Sequence, residues 1–102
     1  MITRIIKFKI KPDAEGLFEE LVKQFKDELM SFDGLHHIDI LREKENHMSV
    51  FIIMIFNTEA KLDLFRRSEL NKVIKQRLRD ITTEAPLAWM VETFDIEEAN
   101  GF

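Results

Sequence analysis

The run Met48-Ser-Val-Phe-Ile-Ile-Met-Ile-Phe56 decides how this chain folds, because every residue from Val50 to Phe56 is apolar. Successive side chains of a strand point to opposite faces, so Val50, Ile52, Met54 and Phe56 supply one face and Phe51, Ile53 and Ile55 the other. A strand apolar on both sides is buried on both sides. The run is far shorter than the roughly 20 residues that span a bilayer, so it belongs to a sheet in a folded domain. That sheet needs cover on two faces.

The flanking sequence shows what supplies the first cover. Before the run, the polar stretch Glu43 to His47 reads as a turn, and Leu35 to Arg42 as the strand paired with it in a hairpin. Further upstream, Gly34 stops a helix whose apolar residues Phe18, Leu21, Val22, Phe25 and Leu29 recur at helical spacing, with Asp13 as its expected cap. Residues 2 to 10 form the first strand, with Ile2, Ile6, Phe8 and Ile10 on one face and Thr3, Lys7 and Lys9 on the other. After the run, Thr58 caps a second helical region extending to Ile81, and Pro86 precedes a fourth strand, Leu87 to Ile96.

The order strand, helix, strand, strand, helix, strand is the ferredoxin-like βαββαβ unit, an α+β fold with a four-stranded antiparallel sheet. It forms a single domain over residues 1–96, followed by a short C-terminal tail, 97–102. Two helical layers cover one sheet face only. Leaving Phe51, Ile53 and Ile55 in water forgoes about 1.5–3 kcal/mol for each side chain and creates a patch that monomers rarely carry. The second cover is therefore expected from another copy: a homodimer through the sheet face, giving a closed or nearly closed dimeric α+β barrel.

Composition excludes several chemistries. Among 102 residues there is no cysteine, which removes disulfides, thiolate metal sites and cysteine nucleophiles. The opening MITRIIKFKIKP has no apolar block before a small-residue cleavage site, so a cytoplasmic protein with no membrane partner is expected. A net charge of −4 gives no general attraction to nucleic acid, and the basic stretch 61–79 lacks the spaced aromatics on which bases stack. The histidines do not stand at helical metal-ligand spacing, the glycines Gly16, Gly34 and Gly101 are isolated, and no serine sits in a G-x-S-x-G elbow.

Several passages resemble one family. Phe32-Asp33-Gly34-Leu35, with a following strand that ends Leu41-Arg42-Glu43, is similar to a passage of the antibiotic biosynthesis monooxygenase (ABM) domain family. So is the helix entry Phe56-Asn57-Thr58-Glu59-Ala60-Lys61-Leu62 followed by Phe65-Arg66-Arg67-Ser68, and Glu84 to Trp89 resembles the start of the last strand in some small members. The resemblance implies a dimeric α+β barrel and, for one branch, cofactor-free oxygenation of phenols or quinols. The haem-degrading branch carries Asn, Trp and His at positions that here hold Ile5, Phe56 and Lys75, so haem degradation is not expected and no cofactor is assigned. A frequent His or Tyr early in helix two is Phe65 here. A second resemblance is to the stress-responsive A/B-barrel (Dabb) family, through Ile5-Ile6-Lys7-Phe8-Lys9.

Two function classes follow. In the first, a cofactor-independent monooxygenase binds an aromatic phenol- or quinol-like ligand between sheet and helices. His37 is its candidate base, and Asp39, two residues on along the same strand face, orients or charges the imidazole. Phe56, Phe65 and Trp89 are candidates to flank the ring, and Arg66 to stabilise negative charge on oxygen. In the second, the chain is a non-catalytic dimeric module that holds a small apolar ligand. A cavity with His37 or another titratable group beside Trp89 favours the first; one lined only by Phe, Ile, Leu and Met favours the second.

Overall fold

The computed structural model describes residues 1–94. Its elements are β1 (Ile2–Lys9), α1 (Glu15–Met30), β2 (Leu35–Arg42), β3 (Ser49–Phe56), α2 (Glu59–Arg66), α3 (Glu69–Ile81) and β4 (Leu87–Glu92). The strands form one antiparallel sheet in the order β2-β3-β1-β4, the ferredoxin-like arrangement. The doubly apolar β3 takes a central place, as its composition requires. β4 ends at Glu92, short of the expected Ile96, with Thr93 and Phe94 outside the strand; residues 95–96 and the tail 97–102 fall outside the described residues.

Register fixes which side chains share a face. β1 pairs with β3 through Ile2↔Phe56, Arg4↔Met54, Ile6↔Ile52 and Phe8↔Val50, and with β4 through Arg4↔Met90 and Ile6↔Ala88. These residues point toward the helices, where the core lies. One cluster joins Phe8, Val50 and Ile81 to Phe18, Leu21 and Phe25 of α1. A second joins Met54 and Phe56 to Leu62 and Phe65 of α2. Edge-to-face contacts lock both, Phe8 on Phe18 at 5.6 Å and Phe32 on Phe65 at 5.1 Å between ring centres.

Local chemistry departs from the sequence expectation at four points. Helix α1 starts after Ala14 and no side chain caps it, so Asp13 stands one residue too early to accept from the first turn. The same helix ends at Ser31, whose Oγ donates to the Asp27 carbonyl at 2.8 Å; Gly34 serves the next turn instead, at φ +92°. The second helical region is two helices, because Ser68 is extended and accepts from the Asn71 amide at 3.1 Å, restarting the helix as α3. Finally, a bulge at His36 shifts the β2 register between Leu35 and His37. Leu35 therefore packs on the helix-side core, while His37, Asp39 and Leu41 face the other way.

That other face carries Ile5, Phe51, Ile53 and Ile55 at its centre, with Leu41, Leu87, Trp89 and Val91 exposed around them. Lys7 extends over the Phe51 ring, 5.4 Å from its centre. No helix among the described residues is long and apolar enough to cross a membrane.

Candidate functional site

Between the two core clusters the packing opens into a cavity of about 490 Å³. Its floor is the helix-facing side of the sheet, from Arg4, Ile6 and Phe8 of β1 across Ile52 and Met54 of β3 to Ile38 and Ile40 of β2. Phe18, Leu21, Phe25 and Leu29 of α1 wall one side, Ile74 and Leu78 of α3 the other. The residues leading into β4, Glu84 to Pro86, complete the rim. Every residue of β4 is exposed, which leaves this flank open. Size and lining fall in the range of small-molecule sites.

Among the described residues the charged lining is three basic side chains, Arg4, Lys75 and Arg79, against one acidic, Glu84. Asn71, Lys75 and Arg79 follow one another at four-residue spacing along α3 and line the cavity beside Ile74 and Leu78. Arg4 stands on the floor, the one charged residue among the helix-facing positions Ile2, Ile6 and Phe8 of β1. Burial, and then the neighbouring Arg66 guanidinium, hold Arg4 below the usual arginine value. Among the described residues no carboxylate forms an ion pair with Arg4. Arg66 reaches Asp63 at 3.9 Å and the Met90 sulfur at 3.9 Å.

The candidates expected from sequence divide between the two sheet faces. Phe65 is buried and lines the cavity. Phe56 is fully buried behind it, 5.6 Å away between ring centres, and supports Phe65 rather than flanking a ligand. Arg66 adjoins Arg4 at the end of the site. His37 and Asp39 do pair, with Nε2 to Oδ2 at 2.9 Å, but opposite Ile55 and Ile53 on the open face. Trp89 lies opposite Ile5 on that same face and is 44% exposed. The sheet itself separates these three from the cavity, so the expected base and aromatic wall are not in it. The alternation that put His37 and Asp39 on one face was sound, but it did not say which face.

Sequence reasoning missed Arg4, Asn71 and Arg79. For Arg4 the signal was present, since a charged residue at an even position of a strand whose even positions otherwise face the core is the informative kind of exception. Among the described residues no group of three or more His, Asp or Glu side chains gathers as a metal site would.

Comparisons with known proteins agree with this architecture. The antibiotic biosynthesis monooxygenase family profile matches residues 1–77, from β1 into α3. No curated protein matches the sequence. Among solved structures, a conserved protein from Methanosarcina mazei Go1 is 21% identical with TM-score 0.85, covering 92% of this chain and 94% of its own. The Mycobacterium tuberculosis protein Rv0793 is 16% identical with TM-score 0.83, covering 92% and 95%. An antibiotic biosynthesis monooxygenase is 14% identical with TM-score 0.85, covering 93% and 100%. At such identities the structural likeness speaks for the fold, and the family rests on the profile, which spans most of the chain: this protein belongs to the antibiotic biosynthesis monooxygenase family.

Proposed function

We propose that this protein is a cofactor-independent monooxygenase that takes a phenol- or quinol-like aromatic into the cavity between sheet and helices. The observation that carries the reading is the cavity itself: an apolar slot of about 490 Å³ with the Arg4 cation on its floor, in a chain of this family. The ring sits among Phe8, Phe18, Phe65 and Ile52. Ionisation of the phenol leaves an electron-rich anion. Its ring carbon gives an electron pair to dioxygen, forming a carbon–oxygen bond and a peroxide. The hydrogen on that carbon leaves as a proton while the oxygen–oxygen bond breaks, so one oxygen becomes a carbonyl and the other leaves as water. A phenol and one dioxygen give a quinone and one water.

The test is oxygen uptake with a panel of phenols and anthrones, with labelled dioxygen to follow the atoms. One dioxygen consumed per quinone formed, with one labelled atom in the product, is expected. No uptake with any member of the panel overturns the reading. A second reading, ligand binding without turnover, is favoured by one observation: among the described residues no histidine lines the cavity, and the only lining carboxylate, Glu84, is held by Lys9 at 3.7 Å.

We also propose that a second copy covers the open sheet face. Central Ile5, Phe51, Ile53 and Ile55, with Leu41, Leu87, Trp89 and Val91 around them, make a surface whose burial is worth far more than its exposure. Trp89 and the His37–Asp39 pair then belong to the interface.

A further inference from the structure

We propose that the cavity selects acids: Arg4, with Arg66 behind it, holds the ionised oxygen of an apolar ligand, so the substrates are phenols or enols acidic enough to enter as anions. This deepens the oxygenase reading and rests on it for the word substrate; as a statement about binding it stands alone.

Three observations carry it. The first is a charge without a carboxylate partner among the described residues. Arg4 and Arg66 lie close enough to repel, and of the two only Arg66 has a described carboxylate nearby, Asp63 at 3.9 Å. A half-buried cation beside a like charge is an unfavourable arrangement that an anion in the cavity would relieve. A guanidinium also offers paired donors to an oxygen anion.

The second is polarity along the slot. Arg4 and Phe8 are four residues apart on one strand face, about 13 Å at the usual strand rise. Between them the floor is Ile6, with Ile52 beside it on β3. The floor therefore has a cationic end and an apolar body, with Lys75 and Arg79 on the α3 wall, and it fits a fused-ring or similarly elongated molecule with its acidic oxygen against Arg4.

The third is the position of the only carboxylate among the described residues that lines the cavity. Glu84 pairs with Lys9, five residues along β1 from Arg4, or about 17 Å. A base at that distance cannot take a proton from an oxygen held by Arg4. Histidine does not line the cavity, and His37 is across the sheet. Ionisation thus comes from the ligand's own acidity and from the arginine field, which favours the anion.

The probes are 2-hydroxy-1,4-naphthoquinone, whose anion is coloured, and its 2-methoxy ether, which has the same rings and no acidic proton. Equilibrium dialysis gives the affinities, and absorbance gives the ionisation of the bound hydroxyquinone. Wild-type protein is expected to bind the acid about ten- to a hundredfold more tightly than the ether, the range expected for a hydrogen-bonded charge, and to lower the acid's apparent pKa. Arg4→Gln abolishes the preference and the pKa shift while keeping affinity for the ether, which also shows that the variant folds; Arg4→Lys restores part of both. Equal affinity for the two probes, binding of neither, or a preference that survives in Arg4→Gln overturns the proposal. Acid-selective binding without oxygen uptake by any phenol overturns the oxygenase reading alone.

Discussion

Arg4 shows how one residue can carry a site at a cost to the fold. Its neighbours on the helix-facing side of β1 are Ile2, Ile6 and Phe8, and an apolar side chain there would continue the core. Desolvation of the guanidinium and repulsion by Arg66 both disfavour the charged form, which is the form present at neutral pH. Replacing it removes that penalty, so Arg4→Met is expected to melt at a higher temperature than wild type while losing the acid preference. Calorimetry checks the first part, and a lowered melting temperature would show that Arg4 is held by contacts that stabilise the fold. His37 is the contrasting case. Its bond to Asp39 at 2.9 Å has the look of an oriented base, yet both side chains are about half exposed and stand on the face away from the cavity. Pairing alone does not make a catalytic residue when the cavity proposed for the substrate is across the sheet.

At the scale of elements, most of the architecture was legible because periodicity reports burial directly. The alternation of β1, the doubly apolar β3 and the three-to-four spacing of α1 each led to the correct element. What escaped were devices that depend on a single backbone choice. The bulge at His36 moves Leu35 to the core face, and nothing in Leu-His-His-Ile announces an inserted residue. The restart at Ser68 had a signal, a serine followed by Glu69 in the first turn, but the apolar spacing runs through the break and conceals it. The cavity was not legible at all, since an unfilled volume comes from how α1, α3 and the sheet meet.

Two substitutions test this level. Gly34 has φ +92°, and a Cβ there would overlap the Lys61 side chain, so Gly34→Ala should destabilise by about 1–2 kcal/mol from the backbone alone and more from the overlap, as read by denaturant unfolding. An unchanged midpoint would mean that the turn rearranges freely. Ser49 is fully buried at the start of β3 and its hydroxyl has no partner among the described residues. Ser49→Ala should therefore be neutral or stabilising by about 1 kcal/mol; clear destabilisation would reveal a partner for the hydroxyl.

For the whole molecule, the two faces of one sheet divide the work. The helix-facing side supplies the core and the cavity, and the open side supplies a surface that we assign to a second copy. The doubly apolar β3 links the two, because Ile52 and Met54 line the cavity while Ile53 and Ile55 stand at the centre of the open face. Ile53→Arg is expected to convert a dimer into a monomer by sedimentation velocity, since an unpaired charge at the centre of an apolar interface is expensive to bury. A wild-type protein that sediments as a monomer at micromolar concentration would remove the second copy from the account.

The central claim is that chemistry takes place in the helix-side cavity and not at the His37–Asp39 pair. Oxygen uptake with acidic phenols, measured side by side for wild type, His37→Ala and the cavity-filling Ile52→Trp, tests it most directly, with circular dichroism confirming that each variant is folded. Uptake retained in His37→Ala and lost in folded Ile52→Trp is the predicted result; uptake lost in His37→Ala, or retained with the cavity filled, would contradict it.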